Sequence, residues 1–170
     1  VGLSDDFHAS VCRQLDEILE SEANPGNNVL PRIPELSLVY EDDVVAGALQ
    51  SVLGPDYEME DHRFPHVNRP QTEPQKIHKD GAFRGEHRMR RAFGFYYPQT
   101  TPETLGPTGV LPGSHYFNEQ PDTPVLPLVA EAGVVVIAHY EIWHRAPAHQ
   151  QDRRRDMMNF QFTPQLAPAS

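Results

Sequence analysis

His78 and Asp80 sit two residues apart in the segment Gln75–Asp80, QKIHKD. In an extended strand, side chains i and i+2 share a face. An imidazole and a carboxylate would stand side by side there, with Lys79 turned the other way. A second imidazole is available at His144, which closes a largely apolar stretch beginning at Gly133. Two histidines and one carboxylate on one face of an ion leave coordination positions open, the arrangement of non-haem Fe(II) oxygen chemistry. Arg155 follows His144 by eleven residues, at the entrance to the strand-like run Met157–Phe162. A guanidinium buried at that point needs an anion, and its planar fork suits a carboxylate. Metal ligands beside such a guanidinium point to an oxoacid. The H-x-D pattern alone is weak, and the later His and Arg strengthen it.

Other residues compete for these roles. His62 and His66, four apart in strand-like sequence, share a face, but no third ligand lies near them in the sequence. His139 and Glu141 are spaced like ligands and stand close to His144. His115 follows a Pro-Gly-Ser turn and is expected to cap it, while His87 and His149 read as exposed loop residues. Arg153 and Arg154 compete with Arg155, and alternation places Arg153 on its face and Arg154 on the other. Trp143 and Phe95 read as core.

The segments QKIHKD, GPTGVLPGSHYF (Gly106–Phe117) and WHRAPAHQQDRRRDMMNFQF (Trp143–Phe162), with the weaker HVNRP (His66–Pro70), lie in that order over the last hundred or so residues. Together they resemble the phytanoyl-CoA dioxygenase-like branch of the Fe(II)/2-oxoglutarate-dependent oxygenases. The resemblance implies a double-stranded β-helix, the jelly-roll of cupin-like proteins. It implies Fe(II) held by His78, Asp80 and His144, with 2-oxoglutarate as cosubstrate, O2 as oxidant, and Arg155 on the far carboxylate. It selects His144 over its neighbours and Arg155 over Arg153 and Arg154. It also implies that Gln75, Thr108 and Asn68 supply polar contacts to 2-oxoglutarate. His149 stands where the family usually has Asn, and the chain is short for such an enzyme.

The elements that must position these residues follow from periodicity. Ser4 with Asp5 and Asp6 reads as a helix start, and Phe7, Val11, Leu15, Ile18 and Leu19 carry an amphipathic helix to about Ser21. The NPGNN run from Asn24 breaks it. A second helix is expected from about Glu41 to Leu53, stopped by Gly54. Beyond Tyr57 the pattern changes to short strands near 57–64, 74–80, 92–97, 108–112, 124–128, 133–138, 142–144 and 157–163. An Arg-rich loop from Arg84 to Arg91 is expected over the mouth, and a frayed tail after Pro164. The fold class is therefore mainly β (α+β), a cupin-like jelly-roll with two N-terminal helices packed outside. One domain spans 1–170, its helical part about 1–55 and its β core about 56–164.

Composition narrows the partners. A net charge of −10 argues against nucleic acid. No apolar run is long enough for a membrane span. The single Cys12 excludes an internal disulfide framework and fits a reducing, cytoplasmic setting. Lys76, Lys79, Arg84, Arg88, Arg90 and Arg91 form a basic stretch, either a solvated loop or an anion-attracting rim. The resulting expectation is an oxygenase that hydroxylates a C–H bond of a small molecule, releasing succinate and CO2. The alternatives are a cupin-like zinc or manganese hydrolase or isomerase, and a non-catalytic metal-binding barrel. The sequence does not fix the substrate or the oligomeric state.

Overall fold

The structure is a computed structural model that describes residues 1–81 and 88–165. Arg84, His87 and most of the expected tail lie outside the described residues. The first helix, α1 (Asp5–Ser21), starts where the sequence says it should. The Ser4 side chain accepts from the Phe7 backbone N–H, and Asp5 and Asp6 occupy the first turn. The helix α4 (Asp43–Leu53) is capped by Asp42, whose side chain accepts from Val44 N–H, and ends at Gly54 with φ +101°. Between them the chain forms short pieces the sequence reading left unassigned: α2 (Val29–Arg32), α3 (Ser37–Glu41) and two 3-10 turns. Prolines at 25, 31 and 34 interrupt the hydrogen-bond ladder and keep each piece to about a turn. Among the described residues no helix is long and apolar enough to cross a membrane.

Seven strands follow: β1 (Tyr57–Asn68), β2 (Ala92–Tyr97), β3 (Gly109–Val110), β4 (Leu126–Pro127), β5 (Val134–His139), β6 (His144–Arg145) and β7 (Arg155–Pro164). They form two sheets, one ordered β1-β7-β2-β5 and one ordered β4-β3-β6, with every pairing antiparallel. The expected strand at 74–80 is reduced to a single bridge, His78 opposite His144. The β1–β7 register shifts between Met59 and Arg63.

The larger sheet separates two cores by alternation. On one face, Tyr96 of β2 and Met158, Phe160 and Phe162 of β7 pack with Val11, Leu15 and Ile18 of α1 and Val45, Leu49 and Leu53 of α4. On the other face, Phe93, Phe95 and Tyr97 join Met157 and Ala138. Since side chains alternate along a strand, the face of β7 that carries Met157 also carries Arg155, Asn159 and Gln161. All three are buried polar residues. The helix-facing side of β7 is therefore mostly apolar, while its opposite side mixes buried polar residues with a second apolar cluster.

Candidate active site

His78 and His144 are brought together by backbone, not by chance. Each donates its N–H to the other's carbonyl at 2.9 Å, a hydrogen-bonded antiparallel pair. Cross-strand partners place side chains on one face, and the two ring centroids lie 4.5 Å apart. Gln75 extends this short ladder. Its N–H donates to the Ala146 carbonyl at 2.8 Å, and its side-chain oxygen accepts from Ala146 N–H at 3.0 Å. On the far side, Trp143 N–H donates to Ser114 Oγ and the Trp143 carbonyl accepts from Leu111.

Asp80 completes the cluster. One ligand atom from each of His78, Asp80 and His144 lies within 4.8 Å of the others. Asp80 Oδ1 is 3.5 Å from His78 Nε2 and 3.8 Å from His144 Nε2. Ligands at about 2.1 Å from a common ion stand roughly 3 Å apart at right angles, so a small contraction closes the set. The remaining ring nitrogens are already committed. His78 Nδ1 faces the Lys76 carbonyl at 2.9 Å, and His144 Nδ1 faces the Ile142 carbonyl at 3.0 Å. A carbonyl only accepts, so the proton sits on Nδ1 and Nε2 is left bare, as a metal requires. Burial pushes the His144 pKa down, which also favours the neutral ring. The donors present therefore fit a first-row divalent ion.

Behind the ligands is a second charged layer. Lys79 does turn away from His78 and Asp80, toward Glu141 at 3.8 Å and the Trp143 ring at 5.6 Å. The Lys79 Nζ and both Glu141 carboxylate oxygens are buried without hydrogen bonds. Glu141 packs so closely on Gly81 that any Cβ there would overlap its carboxylate. Of the expected basic stretch, Lys76, Arg88 and Arg90 are exposed and Arg84 lies outside the described residues. Lys79 is buried, and Arg91 is bonded to Glu60 at 2.6 Å beneath the Tyr140 ring.

Arg155 is 1% exposed at the start of β7. Its Nε donates to the Gly106 carbonyl at 3.3 Å and its Nη1 to the His66 carbonyl at 3.1 Å. Among the described residues it has no carboxylate partner, and burial pushes its pKa down. Gly106 holds φ +68° and meets His149 so closely that a side chain would clash, so this carbonyl reaches Arg155 only through glycine. The Tyr97 hydroxyl is buried without a well-formed hydrogen bond, beside Thr108 and the Arg155 guanidinium. Arg154 points away into a network with Asp156 and Asp16 at 2.6 Å each. Arg153 precedes the strand and is exposed, so alternation does not place it beside Arg155.

Other expectations change. His149 is not an exposed loop residue: it is 7% exposed, and its Nε2 donates to the Asn68 carbonyl at 3.1 Å. The contact with Gly106 draws it in, and no periodicity in that Pro- and Gln-rich segment signals it. His115 lies tilted against Tyr116 and stacks on His139. Asn68 lies opposite Arg155 in the ladder, with its amide nitrogen spent on the Pro147 carbonyl. His62 and His66 do face one another, their centroids 6.3 Å apart, and His66 was missed as a neighbour of Arg155. Strand alternation from Asn68 is the signal that would have found it.

Comparisons with known proteins bear on this arrangement. The phytanoyl-CoA dioxygenase family matches residues 3–157. The carbocyclase SnoK from nogalamycin biosynthesis, described as non-haem and alpha ketoglutarate dependent, superposes with a TM-score of 0.77 at 20% identity, covering 96% of this chain and 77% of its own. The epimerase SnoN in complex with Fe3+, alpha ketoglutarate and nogalamycin RO gives 0.77 at 15% identity, covering 95% and 76%. The non-haem monooxygenase ThoJ with nickel gives 0.63 at 18% identity, covering 72% of this chain. This chain spans 50% of the length of ThoJ. No curated protein sequence matches it.

Proposed function

We propose that this chain, which belongs to the phytanoyl-CoA dioxygenase family, is a non-haem Fe(II)/2-oxoglutarate-dependent oxygenase that hydroxylates a C–H bond of a small molecule. What carries the reading is one juxtaposition: an open-sided His78–Asp80–His144 set facing a sheet that holds a buried, unpaired guanidinium at Arg155. In this reading the two sheets are the halves of a double-stranded β-helix, with the His78 bridge as the remnant of an eighth strand. The three residues are the metal ligands, and 1–170 is a single domain.

Ferrous iron, when bound with 2-oxoglutarate and O2, supplies oxidative decarboxylation to succinate and CO2 and the oxidation of the substrate C–H to C–OH. The chain's own work is binding and orientation. His78 and His144 present bare Nε2 atoms because backbone carbonyls hold their Nδ1 protons. Asp80 supplies the anionic ligand, and occupying that position with carboxylate favours hydroxylation over halide transfer. Arg155 pairs with the far carboxylate of the oxoacid through parallel N–H donors. Thr108, beside the Tyr97 hydroxyl, donates to the same carboxylate, while Asn68 and Gln75 brace the walls through their bonds to Pro147 and Ala146. Phe93, stacked on Phe95 at 4.9 Å and edge-on to His144 at 5.5 Å, keeps water from the ligand face. An apolar cleft of about 590 Å³, lined by Val110, Leu126, Leu128, Val136, Ala138 and Ile142, opens beside the strand leading to His144 and seats the substrate's carbon skeleton.

Anaerobic addition of Fe(II) and then 2-oxoglutarate tests the assignment. A visible charge-transfer band should develop, followed by succinate once O2 is admitted. Zinc or manganese supporting hydrolysis, with no band and no succinate under any condition, would replace it with the hydrolase reading.

A further inference from the structure

The wall opposite the ligand set contains a group that neither the ligands nor the Arg155 clamp uses. In the β1–β7 ladder His66 pairs with Met157, one step along the same face from the Asn68–Arg155 pair. The Arg155 guanidinium is seated on the His66 backbone carbonyl at 3.1 Å. The His66 ring leans the other way, where its Nε2 lies 3.4 Å from the Asn159 amide nitrogen. Burial is the largest influence on this ring, and the groups that act on it next are Arg155, His62, His144 and His78, each of which lowers its pKa.

As the Asn159 amide is oriented, its N–H is received by Nε2, which puts the His66 proton on Nδ1. Among the described residues that Nδ1–H has no acceptor, although the ring keeps partial exposure to the chamber. A neutral donor is well suited to this place. A second cation beside Arg155 and a divalent ion would be repelled, and an anion would compete with the oxoacid for both.

On the oxoacid reading above, we infer that His66 is a cosubstrate-binding residue, donating its Nδ1–H to the oxoacid beside the Arg155 clamp. Asn159 is then a positioning residue that fixes the tautomer.

Calorimetry on the Ni(II)-loaded protein separates this contact from catalysis. His66→Leu should weaken 2-oxoglutarate about tenfold or more, as expected for a lost hydrogen bond to an ionised group, and leave the Ni(II) affinity unchanged. His66→Gln retains a side-chain donor and should recover part of the loss. In the Zn(II) protein the His66 Nδ1 resonance should shift when 2-oxoglutarate is added, a readout that needs no variant to fold. His66→Leu binding 2-oxoglutarate like the native chain, or an unmoved Nδ1 resonance on saturation, overturns the inference alone. A native Ni(II) protein that binds no 2-oxoglutarate overturns both the inference and the oxoacid reading.

Discussion

Arg155→Ala is the perturbation that bears most directly on the proposed cosubstrate. The guanidinium is 1% exposed and bonded, among the described residues, to two backbone carbonyls, those of Gly106 and His66. Carbonyl dipoles offset part of its desolvation, but no described carboxylate pairs with it. On the oxoacid reading the counter-charge is the far carboxylate of 2-oxoglutarate. Removing one member of a buried charge pair costs about 3–5 kcal/mol, and ~1.4 kcal/mol is a factor of ten. The dissociation constant for 2-oxoglutarate should rise by roughly two to three and a half orders of magnitude. Fe(II) or Ni(II) should bind as before, since the three proposed ligands do not touch Arg155. The assay is anaerobic titration of the Fe(II) protein with 2-oxoglutarate, followed by the visible band, with calorimetry on the Ni(II) form as a check. Arg153→Ala, at an exposed residue bonded to Gln151, should titrate like the native chain. Arg154→Ala should lower the melting temperature through loss of Asp16 and Asp156 but leave cosubstrate affinity nearly intact. An Arg155→Ala curve superimposable on the native one would refute the clamp.

Asp80→Ala should still take up 2-oxoglutarate in the presence of Ni(II) yet lose hydroxylation, and full succinate-coupled activity would show that another carboxylate is the ligand. Lys79→Met/Glu141→Leu should keep or raise the melting temperature, because the buried pair lacks the hydrogen bonds that offset desolvation. The same double variant should bind Ni(II) more weakly, and unchanged affinity would show that the pair does not hold the H-x-D segment. The pKa of His66 is pushed down to about 3 by burial, with Arg155 next, so the folded state binds fewer protons than the unfolded state between about 3 and 6.5. Stability should therefore fall as pH drops through that window, and His66→Leu should flatten the slope measured by denaturant titration at several pH values.

His78 and Asp80 could be paired from their spacing, but His144 was chosen over His139 and Glu141 by the family resemblance, and the structure brings these three side chains together. The first helix was legible because Ser4, the acidic pair and the apolar spacing all agree. The strand at 74–80 was over-read, since only His78 bridges, and the polar Gln75 side chain substitutes for part of the ladder. His149 was unreadable because its burial depends on a non-local fit against Gly106. His66 looked like half of a metal pair when taken with His62 alone. Its nearness to Arg155 exists only once β1 lies antiparallel to β7 in the observed register.

The distribution of unsatisfied groups favours an enzyme over a merely structural barrel. A chain selected only for stability has little reason to bury a lysine and a glutamate that lack hydrogen bonds, because apolar replacements of similar volume are often neutral or stabilising. Yet Lys79, Glu141, the Tyr97 hydroxyl and the Asn159 amide oxygen all lie buried and unbonded, with Arg155 close by and without a carboxylate. On the helix-facing side of the larger sheet, some polar groups are paired instead, as with His8 and Tyr96 at 2.7 Å and the Tyr40 hydroxyl on the Gly94 carbonyl at 3.1 Å. Buried unbonded atoms occur on the helix-facing side too, as at Arg63 Nε, but Lys79 and Glu141 lie next to the segment that carries His78 and Asp80. Polar groups left open near the ligand segment and near Arg155 are what a bound anion and a metal would complete.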